Sequence, residues 1–265
     1  MSEPDGGLLG VLTKESLSMV DFASLWFDPV FYGIRVAQGN GKPVVVLPGL
    51  FGNDRYLQPL RQWLHCIGYA PMASSLNLNA GCIERLRQQV ETQIARHLDG
   101  DPRPIALIGH SRGGVLAWAL AALLQERVSH LVMLGSPVAS FMVSVESGRA
   151  NVNVPVGQVS RMLMRASTLM RHILDPNCDY PVCGCSFLRD VMRPLSPRTS
   201  VLSIYGRDDA IVPEEAQITT GETLEVATSH VGMVYHPEVY RALGRFLAQN
   251  GNGRDQAEEA QPTLA

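Results

Sequence analysis

The sequence predicts an α/β protein: a mostly parallel central sheet flanked by helices, with a helical cap inserted between its strands. Three observations carry this. Short apolar runs, Val44-Val45-Val46-Leu47, Ile105-Ala106-Leu107-Ile108 and Leu131-Val132-Met133-Leu134, alternate with longer segments of helical periodicity. The connections between them are short, an arrangement that places helices on both faces of a parallel sheet. The alternation then stops between Pro137 and Pro197, where an apolar helical pattern stands in place of strands. At 265 residues, 46% hydrophobic and 18% charged, the chain is long enough for one large domain with a full core.

Residues 1–39 read as an N-terminal amphipathic helix and lead-in, 40–250 as the main domain with the cap at about 138–197, and 251–265 as a polar, disordered tail. The helix covers 8–27, with Leu8, Leu9, Leu12, Leu17, Val20, Phe22, Leu25 and Trp26 apolar, and ends at Asp28-Pro29. Packing on the domain body is the simpler use of that face. A membrane-surface helix is the alternative, disfavoured by the lack of a Lys/Arg run, and peripheral membrane contact stays open. After the turn Gly39-Asn40-Gly41 comes the Val44 strand, then a helix from 57 to 64, a short strand at 70–74 and a helix over 83–98. The Ile105 strand, a helix to 124 and the Leu131 strand follow. In the cap, 157–174 reads as one helix, apolar at Val159, Met162, Leu163, Ala166, Leu169, Met170 and Ile173. Strands at 200–205 and 223–227 and a helix over 237–249 complete the domain.

The formal net charge of −3 gives no reason to expect a nucleic-acid partner. Met1-Ser2-Glu3-Pro4-Asp5 is acidic and lacks a signal-peptide pattern, and no stretch is long and apolar enough to span a membrane, Lys14, Glu15 and Asp21 interrupting the best candidate, so a cytoplasmic protein without a transmembrane segment is expected. The five cysteines, Cys66, Cys82, Cys178, Cys183 and Cys185, are an odd number and not a disulfide framework. Cys178, Cys183 and Cys185 lack the spacing of a zinc site. Buried thiols are the expectation, with a disulfide pinning the cap as the alternative, and no metal is expected.

The chemistry centres on Ile108-Gly109-His110-Ser111-Arg112-Gly113-Gly114, where an apolar strand meets a helix in a Gly-x-Ser-x-Gly turn. Gly109 and Gly113 are the small residues such a sharp elbow needs, and the following helix aims its positive end at Ser111. A serine hydroxyl needs a base to take its proton, and the base needs a carboxylate to orient it. Asp209, in Gly206-Arg207-Asp208-Asp209, follows one late strand, and His230, in Ser229-His230-Val231-Gly232, follows the next. Asp208 is the alternative acid. Of seven histidines, His65, His97 and His172 fall within helical patterns, His130 precedes a strand and His236 begins the last helix as a cap. His110 is expected to point away from its neighbour. Oxyanion donors are expected from the backbone N–H of Arg112 and, in Pro48-Gly49-Leu50 after the first strand, that of Leu50, with Phe51 as the alternative.

These segments, spanning roughly residues 40 to 248 in the order Ser, Asp, His, resemble the α/β-hydrolase superfamily, and within it bacterial lipase-like serine esterases. The resemblance implies an α/β-hydrolase fold and cleavage of small or lipid-like carboxylic esters through an acyl-enzyme, with no cofactor. A thioesterase or acyltransferase using the same triad, and a non-catalytic binding scaffold, remain alternatives. A dehalogenase or epoxide hydrolase of this fold would need a carboxylate at position 111, and a polyester synthase a cysteine.

Overall fold

A computed structural model describes residues 8–16, 18–147, 158–178, 185–217 and 220–249. Cys183 and the expected tail 251–265 lie outside these residues. Six strands form one sheet in the order β2-β1-β3-β4-β5-β6: β1 (Pro43–Leu47), β2 (Ala70–Ala73), β3 (Ile105–His110), β4 (Val128–Leu134), β5 (Ser200–Gly206) and β6 (Glu222–Val226). Every neighbouring pair is parallel. The fold is that of an α/β hydrolase.

Alternation along the strands decides which helices go where, because successive side chains leave opposite faces of a strand. Val44 and Val46 of β1, Ile108 of β3 and Val132 of β4 enter one core with Leu25, Trp63, Tyr240 and Phe246. These come from α2 (Ser18–Phe27), α3 (Gln58–Cys66) and α9 (Pro237–Ala248). Val45, Leu47, Leu107 and Leu131 enter the other core with Ile83, Val90, Leu116 and Phe187. There the helices are α4 (Ile83–His97), α5 (Arg112–Leu124) and α8 (Ser186–Val191). Both faces being covered explains why the central strands read as unbroken apolar runs. The indoles that span these layers satisfy their N–H groups: Trp63 donates to Val30 O at 2.8 Å and Trp118 to Val191 O at 3.0 Å.

One difference from the sequence reading bears on the site. Within the 8–27 segment the described residues are helical, as α1 (Leu8–Ser16) and α2, with Leu17 outside the described residues. Asp28 then caps a short 3₁₀ turn, accepting from Val30 N at 2.9 Å. The insertion at 138–197 is not all cap: α6 (Val138–Ser147) and α7 (Gln158–Leu174) reach the strand ends, whereas α8 packs on α4 and α5. Its Phe187 and Val191 are fully buried, and Arg87 of α4, itself buried, pairs with Glu84, Glu91 and Asp190. Single apolar residues in α8 carry too little periodicity for a helix to be recognised. Among the described residues no helix is long and apolar enough to cross a membrane.

His130 is wholly buried in β4, against Phe246, with Ser129 Oγ 3.0 Å from its Nδ1. Burial, aided by Lys42, lowers its pKa to about 4. Below pH 6.5 the unfolded chain binds a proton that the folded chain refuses until about pH 4, so stability falls with pH across that window. In His130→Leu, Ser129 keeps its bond to Ile105 O. Urea denaturation should show the wild type losing about 3 kcal/mol relative to this variant between pH 7 and 4. Parallel losses in both proteins would show that His130 protonates freely in the fold.

Candidate active site

Strand order reverses at β1, which pairs with β2 on one side and β3 on the other. The loops after β1 and β3 therefore part at the C-terminal edge of the sheet, where ligands of such sheets bind. The loop after β1 is Pro48-Gly49-Leu50-Phe51-Gly52, and the turn after β3 is Ser111.

Ser111 sits at φ +53°, ψ −124°, a strained conformation for a residue with a side chain. Three contacts hold it there. Its N–H donates to Leu134 O at 2.8 Å, and its carbonyl accepts from Gly114 N at 2.9 Å. Helix α5 lies so close to β1 and β3 that a Cβ on Gly109 would strike Gly113 and Gly114, and one on Gly113 would strike the Leu47 carbonyl. Alanine at either position would push helix from sheet, which is the physical basis of the expected Gly-x-Ser-x-Gly spacing.

Asp209 and His230, from the loops after β5 and β6, meet: Asp209 Oδ2 lies 2.7 Å from His230 Nδ1. The other carboxylate oxygen accepts from Ile211 N at 2.9 Å and Val212 N at 2.8 Å. Asp208, the alternative acid, is half-exposed and lies 4.0 Å from Lys14 Nζ in α1. His230 is buried, which opposes its charge, yet the Asp209 carboxylate, by charge and hydrogen bond, and Glu15 raise its pKa above the ordinary histidine value. With Nδ1 committed to Asp209, Nε2 is the nitrogen left to exchange a proton.

The loop after β1 is held from three sides. Phe51 N–H donates to Asn79 O at 3.0 Å, so Phe51 is not a candidate oxyanion donor. Among the described residues no partner takes the Leu50 N–H. Asn79, fully buried, donates to Pro48 O at 2.6 Å. The Arg112 guanidinium donates to Asn79 O at 3.1 Å, Asn79 Oδ1 at 3.0 Å and Gly81 O at 2.9 Å. Arg112 thus places its backbone N–H at the start of α5 while its side chain ties the elbow to the facing loop.

Beneath the site runs a buried chain of hydrogen bonds. Gly49 N–H donates to Tyr56 Oη at 2.5 Å, and Tyr56 Oη lies 2.9 Å from His110 Nδ1. His110 Nε2 lies 3.0 Å from the His230 carbonyl oxygen. The directions follow from the ends. A carbonyl can only accept, so His110 carries its proton on Nε2, and Tyr56 donates to Nδ1. The ring is neutral: burial, then the neighbouring His230, push its pKa down to about 3. Burial raises that of Tyr56. His110 turns its ring nitrogens to Tyr56 and the His230 carbonyl, and these partners, like Asn79 and Glu15, were missed. Each is an isolated polar residue whose partner lies far off in the chain, and no local pattern marks it.

Ser111, Arg112, His230, Leu50 and Gly49 line a cavity of 1270 Å³. Its walls are Phe141 and Ser144 of α6, Leu163, Met164, Thr168 and Leu169 of α7, and Ile211 and Val212. Cys178 is buried and Cys185 half-buried, and neither lines the cavity.

Tyr56→Phe would leave the Gly49 N–H without its acceptor and His110 Nδ1 without its donor. Leaving such groups unpaired should cost about 1–3 kcal/mol in urea denaturation. Unchanged stability would mean the chain of bonds is not formed in solution.

Residues 42–162 match the family model of the α/β hydrolase fold. Among curated proteins none matches the chain. Of solved structures, esterase B from Lactobacillus rhamnosis is 16% identical, over 96% of this chain and 98% of that one, with a TM-score of 0.56. The monoacylglycerol lipase of Paleococcus ferrophilus is 18% identical, over 80% of this chain and 96% of that one, with a TM-score of 0.52. A carboxylesterase structure from the thaumarchaeon Nitrososphaera gargenis is 17% identical, over 80% of this chain and 92% of that one, with a TM-score of 0.50. With the parallel sheet, its switch point and the elbow at Ser111 in view, the chain has the α/β-hydrolase fold.

Proposed function

We propose that the protein is a serine hydrolase that cleaves carboxylic esters through an acyl-enzyme. One observation carries the reading: Ser111, strained at the head of α5, shares a cavity with His230, whose Nδ1 is 2.7 Å from the buried Asp209 carboxylate. Nothing in folding an α/β sheet requires those three residue types at three separate strand ends.

In this reading His230 Nε2 takes the Ser111 proton as Oγ attacks the ester carbonyl. The backbone N–H groups of Leu50 and Arg112 receive the developing oxyanion. The tetrahedral intermediate collapses, and His230 returns the proton to the departing alcohol. Water, deprotonated by His230, then attacks the acyl-enzyme and frees the acid. Asp209 holds the imidazole in the right tautomer and offsets the charge it gains. The apolar wall of Phe141, Leu163, Met164 and Val212 suits an acyl chain. Esterase B and the monoacylglycerol lipase, which share the fold, bear names of the same chemistry.

Hydrolysis of p-nitrophenyl esters from acetate to palmitate should be abolished in Ser111→Ala, with thermal stability little changed or raised as the serine's demands are lifted. A fluorophosphonate should label wild type at Ser111. Turnover surviving in Ser111→Ala would overturn the assignment, and added alcohol or thiol acceptors would tell hydrolysis from acyl transfer. Asp209→Asn should lower kcat by about 10³–10⁴-fold through loss of the imidazole's tautomer and charge partner. Since His230 must be neutral to act as base, kcat/KM should rise with pH through a value above 6.5, the ordinary histidine value. A limb at or below 6.5 would count against the Asp209–His230 pair.

A further inference from the structure

The base loop has an anchor outside the strands that present it. Glu15 of α1 turns its carboxylate onto three successive residues. Oε1 accepts from His230 N at 3.1 Å, while Oε2 accepts from Val231 N at 3.0 Å and Ser229 Oγ at 3.1 Å. Ser229 Oγ in turn accepts from Gly232 N at 3.2 Å. From α2, Asp21 Oδ2 accepts from Thr228 Oγ1 at 2.6 Å, just upstream. No room is left between these groups: a Cβ on Gly232 would strike Thr228 Oγ1 and Asp21 Oδ2.

Resting on the hydrolase reading, we propose that Glu15 is a positioning residue for His230, fixing the backbone that carries the imidazole and adding a second negative charge behind it. The backbone bonds set where the ring stands relative to Ser111. The charge acts with Asp209 to favour the imidazolium that forms when Ser111 gives up its proton. The titratable and charged groups facing His230 are few. Asp209 comes from the loop after β5, Glu15 from α1, and His110, at the end of β3, is neutral, its ring tilted at 45° to that of His230 with centroids 4.8 Å apart. At the end of β4 lies the uncharged Gly135, where a Cβ would come 3.1 Å from His230 Nδ1.

Full-length wild type, Glu15→Gln and Glu15→Asp would be compared by NMR titration of the His230 imidazole and by p-nitrophenyl ester kinetics. Glu15→Gln removes the charge and one acceptor. Its imidazole should titrate about half a pH unit to one unit lower, and kcat should fall about tenfold with KM within about twofold. Glu15→Asp keeps the charge and should restore most of the titration. A purely structural role would lower stability and leave the titration where it was. A Glu15→Gln protein that titrates and turns over like wild type would overturn the proposal. Wild type gives a reading independent of any variant's folding: the His230 and Val231 amides should exchange slowly with solvent, and exchange at the rate of an unprotected amide would also overturn it. Absence of Ser111-dependent turnover in wild type would instead sink the hydrolase reading, with the imidazole titration still deciding Glu15.

Discussion

The close approach of α5 to β1 and β3 is the constraint on which the rest depends. Glycine at 109 and 113 lets helix and strand meet at backbone distance, and the chain can turn between them only by placing Ser111 at positive φ. Such a conformation costs about 1–3 kcal/mol and persists only where its surroundings over-determine it. Here they do: β3 is wholly buried, α5 is buried along most of its length, and the Ser111 N–H is taken by Leu134 O. The strain therefore does not relax by local adjustment. It holds the hydroxyl at the rim of the cavity, ahead of the first N–H groups of α5.

The polar layer under that elbow converts one rigid point into a rigid site. His110 is the strand residue adjacent to Ser111, so its ring is placed by the same packing. Through Tyr56 it reaches Gly49 in the loop after β1, and through Nε2 it reaches the His230 carbonyl. The three loops that would supply nucleophile, oxyanion donor and base are joined by groups that carry no net charge. Neutrality matters physically. A protonated His110, its ring 4.8 Å from that of His230, would repel the imidazolium that the proposed mechanism forms, and its burial keeps that proton off.

The sequence showed the sheet and the elbow because both leave local marks. Val44 to Leu47 and Ile105 to Ile108 are apolar without a break, since both faces of the sheet are covered, and Gly109-x-Ser111-x-Gly113 is a short pattern with one steric cause. The pairing of Asp209 rather than Asp208 with His230 was also legible, because the chain turns back through Ile211 and Val212, whose N–H groups hold the carboxylate. The residues that position these groups were not legible. Asn79, Tyr56 and Glu15 act across 31, 54 and 215 positions of chain, through single hydrogen-bonding atoms. Helix α8 was missed for a related reason: six residues give no full period, and only its burial against α4 and α5 makes it a helix.

The sheet also distributes rigidity unevenly, and that accounts for where the anchors fall. Ser111 follows a central strand buried throughout, while His230 follows β6, an edge strand with most residues exposed or half-exposed. Backbone at an exposed edge opens more readily than backbone in the core. The proton transfer proposed between Ser111 and His230 would need both ends held to within a fraction of an ångström. The difference must therefore be made up by contacts from outside the sheet. Asp209 holds the ring, His110 holds the carbonyl, and Glu15 holds the amides of His230 and Val231. Ring, carbonyl and amide are the three parts of a histidine residue that can be grasped by hydrogen bonds, and each is held by a different element of the fold.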